Sequence, residues 1–266
     1  MANAQHETAT AEAEYATYPD LVGKVAIITG GSRGIGAATA AALAANGVAV
    51  AAVGRDEGAL DTVATAIAAR GGMAIWVAAD CTRPDEVARM TATVASQLGP
   101  VDIVAAFAGG NGFPVPTVKE TPEHWREIIE TDLNSMFYTV SAALPGMLDR
   151  GGSIITMASS AARQAAKSAA AYAAAKAGVV AFTRHLAGEM APRGIRANCL
   201  APSAVENDKM RTWMTQEQRD ALGASFPLRR LGQPHDVAAA ALFLASAESS
   251  WITGATIDVS GGKIML

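Results

Sequence analysis

The chain has 266 residues, 50% of them hydrophobic and 17% charged, with a formal net charge of -4 at pH 7. That length and apolar content suit one large α/β domain with a sizeable core, and the lack of a basic excess argues against nucleic acid or an anionic membrane as partner. Two cysteines, Cys81 and Cys199, imply no disulfide framework, and no secretory signal or membrane-length apolar run is present, so a cytoplasmic setting is expected.

Residues 1–18 are polar and alanine-rich without an apolar period, and a mobile tail is expected there, with the domain over 19–266. Val25 to Thr29 reads as a buried strand, followed by a helix from about Gly34 to the stop signal Asn46-Gly47. Val48 to Val53 is the second strand, with a helix over Glu57 to Arg70, and Met73 to Ala78 is the third. Thr82-Arg83-Pro84-Asp85 reads as a capping box with proline in the first turn of the next helix. Val101 to Phe107 is the fourth strand, and Thr121-Pro122 caps a long helix reaching about Leu148. Ser153 to Ala158 is the fifth strand, Ser168 to Met190 a helix, and Ile195 to Ala201 the sixth strand. Residues 203–230 have weak periodicity and scattered charges, as expected of a flexible cap over a site. Pro234 to Ser246 is the last helix and Thr256 to Val259 the last strand. Strands alternating with helices throughout predict a Rossmann-type doubly wound parallel sheet in a single α/β domain.

Thr29-Gly30-Gly31-Ser32-Arg33-Gly34-Ile35-Gly36 joins the first strand to the first helix, with glycines spaced GxxxGxG. Glycines there let the backbone approach a pyrophosphate, and the helix N-terminus supplies N–H groups and positive dipole. The second strand ends in Val53-Gly54-Arg55, with no carboxylate to meet a ribose 2′-hydroxyl. Arg55, helped by Arg33, suits a 2′-phosphate and hence NADP(H), unless Arg55 pairs with Asp56 instead.

Tyr172 and Lys176 stand four residues apart in an alanine-rich run, one turn apart on one helix face. A phenol, with a free pKa of about 10, ionises more readily beside an ammonium, which makes it a general acid/base. Ser159 lies thirteen residues upstream at a strand end, from which its hydroxyl and the tyrosine can reach one carbonyl oxygen.

Together the glycine loop, Ser159, Tyr172 and Lys176 resemble the short-chain dehydrogenase/reductase family over about residues 21 to 266. The resemblance implies that Tyr172 protonates a carbonyl oxygen as hydride arrives from the nicotinamide. It implies that Ser159, rather than Ser160, polarises that oxygen, and that Lys176 holds the nicotinamide ribose and assists Tyr172. It also implies cofactor contacts from Gly30, Ser32, Arg33, Gly34, Ile35, Gly36, Asp80, Cys81, Ala108, Gly109, Pro202, Val205 and Asn207, with Asn111, Phe113, Gln164 and Trp213 facing the substrate. No metal site is expected.

Three departures stand out. The Asn-Asn-Ala-Gly usual after the fourth strand is Ala106-Phe107-Ala108-Gly109 here, and the Pro-Gly after the sixth is Pro202-Ser203. The threonine usual five residues after that proline is Asn207, whose amide can still meet a carboxamide. Asp132 occupies the place of the catalytic asparagine, with Asn134 two positions late and turned elsewhere. The carboxylate is expected to favour a charged Lys176 without cancelling its effect on Tyr172. The alternative is a pair tight enough to offset that effect.

The leading expectation is NADPH-dependent reduction of a small or hydrophobic ketone to a secondary alcohol. Reduction of a 3-oxoacyl thioester on acyl carrier protein is the alternative: Arg150 could meet an acidic carrier, yet Gly188 follows Leu186-Ala187 where carrier-acting relatives often have a basic residue. A non-catalytic dinucleotide sensor is the reading from another class, and it has no need of a proton donor. The resemblance also implies a homodimer or homotetramer.

Overall fold

The structure is a computed structural model that describes residues 15–110, 114–165 and 168–265. Seven strands form its centre: β1 Val25–Thr29, β2 Ala49–Gly54, β3 Ala74–Ala78, β4 Ile103–Ala106, β5 Gly152–Met157, β6 Ile195–Pro202 and β7 Thr256–Val259. They are all parallel, in the order β3-β2-β1-β4-β5-β6-β7. Every residue of β1 and β4 is buried, as a parallel sheet covered on both faces requires of its central strands.

Helices cover both faces. On one lie α1 Gly34–Ala45, α2 Glu57–Ala68 and α9 Pro234–Ala245. On the other lie α3 Pro84–Gln97, α5 Ser135–Ala143 and α6 Ala170–Met190. Alanines such as Ala40, Ala44, Ala241 and Ala245 are buried between α1 and α9, where small side chains let two helix backbones approach.

The chain reverses its winding between β1 and its two neighbours. Thr29 is in register with Val53 of β2 on one side and Ala106 of β4 on the other. Connections leaving β1 and β4 diverge there and open a crevice at the carboxyl ends of the strands, the usual ligand position in such sheets.

Several expectations change. Within the described part of the predicted tail, residues 15–18 are packed rather than mobile. The Tyr15 hydroxyl donates to Ala38 O, its ring tilts on His235, and the Tyr18 N–H donates to Asn46. Residues 1–14 lie outside the described residues. The capping box before α3 is not formed: Arg83 is the N-cap residue without a side-chain bond, and Thr82 instead donates twice to Asp80. Thr121 does cap its helix, but α4 Pro122–Ile129 gives way to a π-turn over Glu130–Asn134 before α5, so one long helix becomes a broken one. The cap holds two short helices, α7 Asp208–Trp213 and α8 Gln216–Ala224, each closed by a side-chain N-cap.

Candidate active site

The crevice is a cleft of about 630 Å³ that gathers both predicted constellations: the glycine loop and Arg55 at one end, Ser159, Tyr172 and Lys176 at the other. Its floor is made where the β1 and β4 loops touch. The Thr29 hydroxyl accepts the N–H groups of Phe107 and Ala108 at 3.0 and 3.2 Å, a backbone anchor where the expected asparagine pair is missing. Gly30 has φ +68°, and a β-carbon there would lie 2.9 Å from Phe107 O. At Gly36 it would lie 2.1 Å from Gly30 O, so the loop folds back on the first turn of α1 only because glycine stands there.

Those features fit a dinucleotide. Arg33, the N-cap residue of α1, makes no side-chain cap bond, whereas α2 is capped by Asp56 and α4 by Thr121. The first N–H groups of α1 are therefore left by the protein's own side chains for an anion.

At the ribose end the alternative pairing of Arg55 with Asp56 is not the one formed. Asp56 bonds Arg33 at 2.5 Å rather than Arg55, and its other oxygen caps α2 through the Ala59 N–H. Arg55 lines the cleft, while Arg33 must exchange Asp56 for any phosphate it binds. Burial of Asp80 opposes ionisation, but the Thr82 N–H and hydroxyl, with Arg55 and Arg83, outweigh it and hold its carboxyl below the ordinary range. The Cys81 thiol is pushed up to about 11 by burial and then by the Asp80 charge, which leaves it an unreactive wall residue at neutral pH.

At the other end, β5 delivers Ser159 just beyond its last residue, and α6 presents Tyr172 and Lys176. The Ser159 Oγ accepts the Ala161 N–H at 3.2 Å, capping the turn that follows. Ser160 points its hydroxyl toward Ser203. Lys176 is 3% exposed; its Nζ donates to Met157 O at 3.1 Å, lies 3.2 Å from Asp132 Oδ1, and stands 5.6 Å from the centre of the Tyr172 ring. Asp132 and Lys176 are thus in direct contact. Asn134 is engaged with Glu130, turned elsewhere as its spacing suggests.

Gly30, Ser32, Arg33, Ile35, Gly36, Arg55, Asp80, Cys81, Ala108, Gly109, Pro202, Val205 and Asn207 all line the cleft. Gly34 opens α1 with φ +55° and open space where a β-carbon would be. The Asn207 amide is committed to local bonds, accepting the Met210 N–H and donating to Val205 O. Among the proposed substrate residues, Gln164 lines a separate hollow of about 380 Å³ beside the start of α6. Trp213 is 64% exposed at the end of α7, outside the lining, and Asn111 and Phe113 lie outside the described residues. Lys209 and Met210 of α7 enter the cleft instead. Sequence reasoning missed both; a helix entered at Asn207 would have aimed its first turn there.

No helix among the described residues is long and apolar enough to cross a membrane. The chain matches the family profile described as enoyl-(acyl carrier protein) reductase over residues 30–263. It is 38% identical over 249 residues to the 3-oxoacyl-acyl-carrier-protein reductase of Vibrio cholerae, covering 93% of this chain and 100% of that protein. It is 37% identical over 246 residues to the enzyme of the same name from Escherichia coli K12, covering 92% and 98%. The crystal structure of a short-chain type dehydrogenase/reductase from Mycobacterium marinum superposes with a TM-score of 0.84 at 35% identity, covering 93% of this chain and 97% of that one. With the fold, the glycine loop and the Ser159, Tyr172 and Lys176 cleft, these matches place the chain among the oxidoreductases of the short-chain dehydrogenase/reductase family.

Proposed function

We propose that the protein reduces a ketone carbonyl to a secondary alcohol with NADPH, the carbonyl being that of a carrier-bound 3-oxoacyl thioester. The observation that carries the reaction type is the meeting of a side-chain proton donor and a phosphate-binding loop in one cleft. The relatives' names carry the substrate class. When bound, the dinucleotide supplies the hydride. The chain's own residues do the rest: Ser159 Oγ and the Tyr172 hydroxyl orient the carbonyl oxygen, and Tyr172 protonates it. Lys176, anchored by Met157 O and Asp132, holds its ammonium 5.6 Å from the centre of the Tyr172 ring. A sensor without chemistry has no use for this arrangement.

Two observations favour a second reading, reduction of a free ketone. Arg150 is bonded to Asp102 at 3.1 Å, which also meets Lys24, so its charge is partly spent within the fold. Gly188 presents no charge on α6. Loss of NADPH absorbance with a 3-oxoacyl carrier protein, the same acyl group on a small thiol, and free ketones separates the readings. Faster turnover per enzyme on the carrier form is expected; equal rates on all three would remove the carrier, and no oxidation of NADPH with any would sink the reaction type.

Cofactor choice gives a sharper number. A charge-assisted hydrogen bond contributes about 1.5–3 kcal/mol, so Arg55→Ala should weaken NADPH binding by roughly tenfold or more while NADH changes little. Arg33→Ala should act in the same direction but less, because that guanidinium already meets Asp56. Fluorescence titration with both nucleotides measures this. Equal weakening for both would mean that Arg55 does not read the 2′-phosphate.

Phe137, half-exposed on α5, packs edge-on against Phe182 of α6, and Trp125 of α4 is likewise partly open. This apolar outer face supports a homodimer or homotetramer through these helices. Sedimentation at micromolar concentration should show it, and a monomer there would contradict it.

A further inference from the structure

Asp132 has no exposed surface, in the middle of the π-turn between α4 and α5. Among the described residues, donors to its carboxylate include Lys176 Nζ at 3.2 Å and the Gly110 N–H at 2.6 Å on Oδ1, and the Thr131 hydroxyl at 3.0 Å on Oδ2. Such a set suits an acceptor-only carboxylate. The loop after β4 is shaped around it, since a β-carbon at Gly109 would come within 2.7 Å of Oδ1. The acid is therefore buried behind the lining of the cleft, between the β4 loop and α6.

We infer that Asp132 is a positioning residue that offsets part of the Lys176 charge felt by Tyr172, and so favours carbonyl reduction over alcohol oxidation near neutral pH. The inference rests on the reading that Tyr172 is the proton donor. In reduction the Tyr172 hydroxyl gives its proton to the carbonyl oxygen while the carbonyl carbon gains hydride from NADPH. In oxidation the phenolate removes the alcohol proton while the carbinol carbon loses hydride to NADP⁺. A lone ammonium beside the phenol favours the phenolate, the form oxidation needs; a carboxylate in contact with that ammonium weakens the preference.

Other ionisable groups around the pair do not duplicate this effect. On the π-turn, Glu130 is engaged with Asn134. On β6, burial pushes the Cys199 thiol up. Arg163, after β5, is paired with Asp258. The β4 strand and its loop through Gly110 carry no ionisable side chain. Among the described residues, Asp132 is the one acid that meets Lys176.

The test compares wild type with Asp132→Asn, and with Asp132→Ser as a second neutral variant, in pH–rate profiles run in both directions at saturating nucleotide. It adds an ultraviolet difference titration of tyrosinate in the cofactor-free protein, with Tyr172→Phe as the blank. In the neutral variants, the alkaline fall of reduction and the acid limb of oxidation should both move down by about one pH unit, the low end of what a neighbouring charge does. The tyrosinate signal should move with them, and the ratio of oxidation to reduction kcat at neutral pH should rise several-fold. Superimposable profiles and titrations, or a shift upward, would overturn the inference. Turnover retained by Tyr172→Phe would sink the proton-donor reading instead, a result the titration keeps separate. If Asp132→Asn does not fold, the Asp132→Ser profiles decide.

Discussion

Tyr172→Phe is expected to abolish turnover while NADPH still binds. The substitution removes only a hydroxyl, and the ring keeps its packing beside Ile128, Ala171 and Ala175. The glycine loop, Arg55 and the Lys176 anchors are untouched, so fluorescence titration with NADPH should give a Kd close to that of the wild type. The rate of carbonyl reduction should fall by at least ~10², the lower scale for losing a positioned general acid. The reason is geometric: Tyr172 is the phenol that the cleft holds within one helical turn of an anchored ammonium and across from a strand-end serine. Near-normal turnover in a folded Phe variant would remove the tyrosine from the mechanism.

Lys176→Met is expected to cost stability as well as activity. It leaves the Asp132 carboxylate buried without its cation and strips Met157 O of a donor. Removing one partner of a buried ion pair typically costs about 3–5 kcal/mol, a large share of the ~5–15 kcal/mol that keeps a domain folded. The urea midpoint should fall accordingly, measured at one fixed protein concentration because association would otherwise contribute. Adding Asp132→Asn to Lys176→Met removes the stranded charge while keeping an acceptor for the Gly110 N–H. The double variant should recover more than half of the loss, although activity stays low. A single variant within ~1 kcal/mol of wild type would show that the pair is not the strut described above.

The sequence by itself determined the alternation of buried strands with helices, and therefore the doubly wound sheet, because apolar periodicity is a local property that each segment carries alone. The phosphate loop was legible for the same reason: Gly30, Gly34 and Gly36 sit directly between a strand and a helix. So was the Tyr172–Lys176 neighbourhood, since four residues in a helix make one turn. The π-turn was not legible, because one extra residue per turn leaves the apolar pattern of 122–143 nearly intact. The short cap helices escaped as well: α7 buries none of its residues, so little period exists to read. Pairing across the chain was decided by the tertiary structure alone. Whether Asp56 meets Arg33 or Arg55, whether Asp132 touches Lys176, and whether Trp213 or Met210 faces the cleft all depend on where separate elements dock. Strand register and helix packing set those distances, and no spacing along the chain encodes them.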